Sequence, residues 1–346
     1  MKYTTLGRTG IDVSRIALGT MTFGQQNTEA DAHRQLDMAV AAGVNFIDTA
    51  EMYPFPSTPE TWGASERFIG TWMKARGNRD KVVIASKITG PADRFAHVRD
   101  GALKLNAHHI AQAVEASLRR LGTDVIDLYQ LHWPERPTNF FGQLGYSHVE
   151  EDASTPIGET LEALAEQVAA GNIRAVGLSN ESPWGMMTFM AQAEAHGLPR
   201  VASIQNPYSL LNRTFEIGAA EVAIREDCGL LAYSPLGFGA LSGKYLDGPP
   251  PAGSRGALFP DFKRNFTDRA VEATADYVAL ARRHGLDPAQ MALAFVNTRR
   301  FLTSTIIGAT TPEQLETDLA SIDLELPGDA IDGIEAIHKR ICNPAP

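Results

Sequence analysis

EADAHRQLDMAVAAGVNFIDTAEMY (29–53) sets the pattern for the rest of the chain. Over 29–43, Ala32, Leu36, Ala39, Val40 and Gly43 recur at helical spacing, and the glycine suits a helix C-terminus. The strand-length apolar run NFIDTA (45–50) follows, carrying Asp48 near its end and leading to Tyr53. Working outward, KVVIASK (81–87) ends in Lys87, and IDLYQLHWP (126–134) carries His132 before a proline. The remaining strand-like cores are IALG (16–19), IRAVGLS (173–179), VASIQ (201–205), LLAYS (230–234) and STIIGA (304–309). Segments such as 106–122 and 157–171 read as helices closed by glycine. Eight strands alternating with helices predict an α/β fold, a (β/α)8 TIM barrel forming one domain over 1–346. In such a barrel the strand C-terminal ends converge on one mouth, so Asp48, Tyr53, Lys87 and His132 would share a site.

Composition narrows the alternatives. A chain of 346 residues with 44% hydrophobic residues can bury a large core, and a net charge of −10 with no basic block argues against nucleic acid or an anionic membrane as partner. Cys228 and Cys342 are too few for a disulfide framework or a structural zinc site, so no metal is expected. No run reaches the roughly 18 apolar residues of a membrane span, and the N-terminus lacks a continuous apolar signal segment. A soluble cytoplasmic protein is the expectation, its oligomeric state left open. The long Gly-, Pro- and aromatic-rich segments 133–156 and 235–267 follow strands 4 and 7 of the barrel and should sit at the mouth, where 54–66 could help cover the site.

DTAEMYP, the lysine closing VVIASK, LHWP, GLSN (177–180), IQNPYSLLNR (204–213) and AYSPLGFGALSGKY (232–245) together resemble the aldo-keto reductases, in the family's motif order and over essentially the whole chain. LGTMTFGQQN (18–27) and PERPTNFFGQLGYS (134–147) are most similar to the bacterial Tas-type NADP(H)-dependent reductases. A more distant similarity is to the β-subunits of voltage-gated potassium channels. The chemistry fits the residues. Reducing a carbonyl needs a hydride for carbon and a proton for oxygen, and a phenol with a pKa near 10 is a reluctant donor. A cation beside Tyr53 should lower its pKa, with Lys87 placed to supply it, Asp48 to hold Lys87, and His132 to guide the carbonyl. The resemblance implies these same four roles.

The cofactor reading turns on Gly237-Phe238-Gly239-Ala240-Leu241-Ser242-Gly243-Lys244. Its third glycine is one position late for GxGxxG, and Phe238 and Tyr245 break a Walker loop. Glycines and backbone amides before a lysine still suit a pyrophosphate. The resemblance implies NADP(H) contacts across this segment, with Ser234, Pro235 and Leu236 at its start, and from Gly19, Thr20, Met21 and Asp48. It further implies that Tyr233 stacks on the nicotinamide, that Ser179, Asn180 and Gln205 bond its carboxamide, and that Ile307, Gly308, Ala309, Thr310, Gln314 and Asp318 meet the phosphate and adenosine. Thr317-Asp318 stands where the family commonly has Glu-Asn, and nothing basic lies between Gly308 and Leu319. Arg255 is the candidate for a 2′-phosphate.

The expected activity is NADP(H)-dependent reduction of aldehydes or ketones, the small-molecule substrate meeting Met21, Tyr53, His132, Trp133 and the aromatic pair Phe140-Phe141. The alternative is a cofactor-binding regulatory module with residual reductase activity, as the channel-subunit similarity suggests.

Overall fold

The computed structural model describes every residue except Asp100, Ala102 and Glu151. An antiparallel hairpin, β1 (Tyr3–Thr5) and β2 (Asp12–Ser14), leads into eight strands. These are β3 (Ile16–Gly19), β4 (Phe46–Asp48), β5 (Val83–Ile88), β6 (Ile126–Leu131), β7 (Ile173–Ser179), β8 (Val201–Pro207), β9 (Gly229–Tyr233) and β10 (Leu302–Ile307). They pair in parallel in chain order and close into a barrel through β10 against β3.

Two hydrophobic layers follow from the two-residue period of the strands. Ile16, Leu18, Ile47, Ile84 and Tyr129 face outward into a core shared with the surrounding helices. Ala17, Phe46, Ala85, Leu128 and Leu231 face inward and fill the barrel. Leu6, Ile11 and Val13 of the hairpin join that inner cluster and plug the end where the strands begin. Gly7, at φ +52°, permits the fit, because a Cβ there would lie 2.6 Å from the carbonyl oxygen of Ala202. The hairpin was not part of the sequence expectation: its three-residue strands are too short to show a period.

Helices fill the connections. Glu29–Ala41 starts at Thr28, whose side chain forms a capping box with Asp31, and Gly43 follows its end at φ +89°. Ala107–Leu121 starts at Asn106 and ends at Gly122, and Ile157–Ala169 packs next to it. The 235–267 segment is broken into short helical turns at Ala240–Ser242, Arg255–Leu258 and Arg264–Phe266. No helix among the described residues is long and apolar enough to cross a membrane.

Candidate active site

Inward positions at the strand C-terminal ends are no longer apolar. Asp48, Lys87 and Gln205 continue the inner faces of β4, β5 and β8, and Gln130 and His132 those of β6 and its end. Fully buried Lys87 donates from Nζ to Asp48 Oδ2 at 2.6 Å and to the carbonyl oxygen of Thr49 at 2.8 Å. The other Asp48 oxygen accepts from Gln205 Nε2 at 2.8 Å and Gln130 Nε2 at 3.3 Å, and Gln205 also donates to Gln130 Oε1. Each charge therefore has a partner of opposite sign and further hydrogen bonds, the condition under which a buried ion pair is tolerable. Burial lowers the pKa of Lys87, and the Asp48 charge opposes the shift. Gln130 was missed from sequence because it lies inside an apolar strand, although its place two residues before His132 puts it on the same face.

Tyr53 lies against this pair. Lys87 Nζ is 4.9 Å from its ring centroid, and the His132 ring meets it edge-on at 5.6 Å between centroids. The expectation that Tyr53 would be shifted down is corrected: burial, and then the Asp48 charge, raise its pKa, opposed only by Arg255. Desolvation and the Asp48 charge outweigh the ammonium 4.9 Å from the ring, so Tyr53 is a neutral phenol. Its hydroxyl makes no hydrogen bond with a described residue and borders the cleft. His132 is likewise neutral, because burial, Lys87 and Arg94 hold it well below its ordinary value. Its Nδ1 is buried without a partner among the described residues, where a proton would find no acceptor, so the ring proton is better placed on Nε2.

Around this centre runs a cleft of about 690 Å³. Ser179 Oγ donates to the carbonyl oxygen of Gln205 at 2.8 Å. Asn180, at φ +54°, donates to the His132 carbonyl at 2.8 Å and to Ser179 Oγ, and its Oδ1 accepts from Tyr233 at 2.6 Å. The amide protons of Asn180 and Gln205 are thus used within the protein, which leaves Gln205 Oε1 to meet a ligand. Gly19, Thr20 and Met21 line the floor beside Asp48, and a Cβ at Gly19 would strike Ile306 at 2.7 Å.

The glycine-rich segment divides. Ser234, Pro235, Leu236, Phe238, Gly239, Ser242 and Lys244 line the cleft, whereas Gly237, Ala240, Leu241 and Gly243 do not, Ala240 and Leu241 being packed into the core. The expected nest of free amides is also corrected. The amides of Gly237, Gly239, Ala240, Leu241, Ser242 and Gly243 donate to carbonyls of residues 234–240, so the loop spends them on its own short helical turn. Positive charge is supplied by side chains instead. At Gly239, φ +87°, the absent Cβ leaves room for Lys244 Nζ at 2.9 Å. Arg255 lies over the Phe238 ring at 4.7 Å, its Nη2 buried without an acceptor among the described residues, and burial lowers its pKa to about 10.

At the end of β10, Ile307, Gly308, Thr310, Gln314, Thr317 and Asp318 line the same cleft, while Ala309 turns into the core. Gln314 Oε1 is taken by the Thr310 amide and hydroxyl. Asp318 is 4% exposed, and its side chain accepts no hydrogen bond from a described residue. Burial and the charge of Asp287 push it up to about 7 against the pull of Lys244. Opposite this end, Met21, Tyr53, His132, Trp133 and Phe141 line the wall beside Met52, Phe55, Arg94 and Phe262, whereas Phe140 packs beneath Phe141. The 133–156 segment otherwise turns away: Glu135, Arg136 and Ser154–Pro156 border a separate cavity near Trp184.

Comparison with known proteins agrees with this architecture. The model of the aldo/keto reductase family matches residues 15–339. The chain is 52% identical to protein tas of Escherichia coli K12 over the full length of both. It is 31% identical to the NADH-specific methylglyoxal reductase of the same organism, covering 94% of this chain and 95% of that one. It is 30% identical to a probable voltage-gated potassium channel subunit beta of Oryza sativa subsp. japonica, covering 97% and 96%. A closed eight-stranded barrel, a polar set gathered at its mouth and full-length likeness to these proteins place the chain in the aldo/keto reductase family of oxidoreductases.

Proposed function

We propose that the chain, acting as one barrel domain, is an NADP(H)-dependent reductase of aldehydes or ketones. The observation that supports it most is a neutral phenol bordering the cleft and backed by a buried ammonium that Asp48 and the Thr49 carbonyl hold in place. Tyr53 donates its proton to the carbonyl oxygen, and the nearby Lys87 charge stabilises the tyrosinate that remains. His132, uncharged, offers Nε2–H to the same oxygen and so orients the carbonyl without competing for its proton. A nicotinamide held beside Tyr233 and Gln205 would supply the hydride to carbon. In the reverse direction the Tyr53 oxygen takes the alcohol proton.

The side chains fit such a cofactor. Tyr233 and Gln205 Oε1 suit the nicotinamide and its carboxamide, the unpaired Arg255 Nη2 and Lys244 suit phosphates, and Gln314 and Asp318 suit the adenosine portion. In the direct test, carbonyl-dependent oxidation of NADPH is followed by absorbance over a panel of aldehydes, ketones and sugars. Arg255→Ala is expected to weaken NADPH binding at least tenfold with a smaller effect on NADH. Equal dissociation constants for the two cofactors, unmoved by the substitution, would refute the NADPH preference.

Asp318 adds a pH dependence with a definite sign. A carboxyl whose folded pKa lies near 7 holds a proton that the unfolded chain releases near 4, so folded stability falls as pH rises between those values. Asp318→Asn should therefore raise the melting temperature at pH 8 and confer no gain at pH 4. A ligand phosphate near this carboxyl adds repulsion only when Asp318 is ionised, so NADPH affinity should weaken as pH rises through 7 in the parent protein and stay flatter in Asp318→Asn. Fluorescence titration at pH 6 and pH 8 reads both, and parallel pH profiles would count against the assignment.

A further inference from the structure

Positive charge at the substrate side of the cleft stands out in a chain of net charge −10. Several arginines elsewhere are neutralised: Arg79 and Arg174 by Asp127, Arg99 by Glu51, Arg120 by Glu66 and Arg136 by Glu181. Arg94, in the helical turn Asp93–Phe95, lines the cleft yet pairs with no carboxylate and makes no side-chain hydrogen bond among the described residues. Its guanidinium lies over the rings of Phe95, at 4.9 Å, and Phe55, at 5.8 Å. Stacking on aromatic faces leaves the donors at the guanidinium edge, which is the arrangement that grips a carboxylate or phosphate.

Its position is at the reacting end of the cleft. The Arg94 charge acts on His132, the proposed carbonyl guide, and Phe55 beneath it lines the wall that holds Trp133, Phe141 and Phe262. Arg264, beside Tyr233, lines the same cleft and also lacks an ion pair among the described residues, so the potential there is positive from two sides. Asp261 is the acidic group bordering this side, and it does not pair with either arginine. Partial desolvation of an unpaired guanidinium is unfavourable, as the lowered pKa of Arg94 reflects, and an incoming anion would relieve it.

We infer that the carbonyl substrate carries an anionic group, a carboxylate or a phosphate, bound by Arg94 while the aromatic wall holds the carbon skeleton between that group and the reacting carbonyl. The inference rests on the reductase reading above and names its substrate class. A carbonyl compound without an anion would leave Arg94 unpaired, so discrimination should appear in KM more than in kcat.

The test compares matched pairs at fixed NADPH: 4-carboxybenzaldehyde with 4-formylbenzamide, and glyceraldehyde 3-phosphate with glyceraldehyde. The parent protein should favour the anionic member of at least one pair by about 10- to 100-fold in kcat/KM, the range for a hydrogen bond to a charged group. The pair that responds tells carboxylate from phosphate. Arg94→Gln should collapse that ratio toward unity, Arg94→Glu should invert it, and added salt should shrink it in the parent protein only. A parent ratio near unity for both pairs, or a ratio that survives Arg94→Gln in a variant with unchanged circular dichroism, overturns the inference. Turnover of the neutral members alone would leave the reductase reading standing while removing the anionic subsite, whereas no turnover of any member sinks both.

Discussion

Tyr53→Phe is expected to lose carbonyl reduction by about 10²- to 10⁴-fold in kcat, the usual contribution of a positioned general acid, while binding NADPH nearly as the parent protein does. The substitution is unusually clean here. The Tyr53 hydroxyl makes no hydrogen bond with a described residue, so removing it orphans no donor or acceptor. The ring keeps its edge contact with His132 and its place beside the Lys87 ammonium. Thermal stability should therefore stay close to that of the parent protein, and the lost rate can be assigned to the proton. Single-turnover measurement with bound NADPH isolates this step, and a variant retaining parental kcat would remove Tyr53 from the chemistry.

Lys87→Met is expected to damage both stability and rate. Removing the ammonium leaves Asp48 as a buried carboxylate with only Gln205 and Gln130 to solvate it, and breaking one side of such a pair typically costs about 3–5 kcal/mol. It also removes the cation that would stabilise tyrosinate, so kcat should fall by at least about 100-fold. The double variant Asp48→Asn with Lys87→Met separates the two losses. A neutral amide at 48 no longer needs a counter-ion, so much of the stability should return while the rate stays low. If the rate recovered with the stability, Lys87 would be scaffold alone. Thermal melts together with kcat on the same samples distinguish these outcomes.

The strand cores read from sequence coincide with β3 to β10 within two or three residues at each end. The reason is physical: a parallel barrel strand is buried on both faces and reads as a continuous apolar run, while the helices between carry the longer period and end in glycine. Short or irregular pieces left no such trace. The hairpin Tyr3–Ser14 has too few residues for a period, and Arg94 sits in a single helical turn whose sequence shows neither its contact with Phe55 nor its place on the cleft.

The candidate site was partly legible on the same terms. Asp48, Lys87 and His132 stood out because a polar residue ending an apolar run is conspicuous, whereas Gln130, one residue inside such a run, was not. Phe140 and Phe141 looked equivalent as neighbours in sequence, yet only Phe141 reaches the cleft, since adjacent residues point different ways and the fold chooses between them. Glycine content in 237–243 suggested free amides, but a tight helical turn consumes them internally, and the path of a backbone hydrogen bond is not written in composition.

By itself, then, the sequence determined the order and kind of the elements and which chemical groups end them, because these depend on local periodicity and residue type. Only the tertiary structure decided the electrostatics. Asp48 pairs with Lys87 at 2.6 Å, Tyr53 is held neutral by burial, Asp318 rises toward 7, and Arg94 and Arg255 are left without side-chain partners among the described residues. Each of these depends on distance and desolvation between residues far apart in the chain, and those quantities exist only once the barrel has closed.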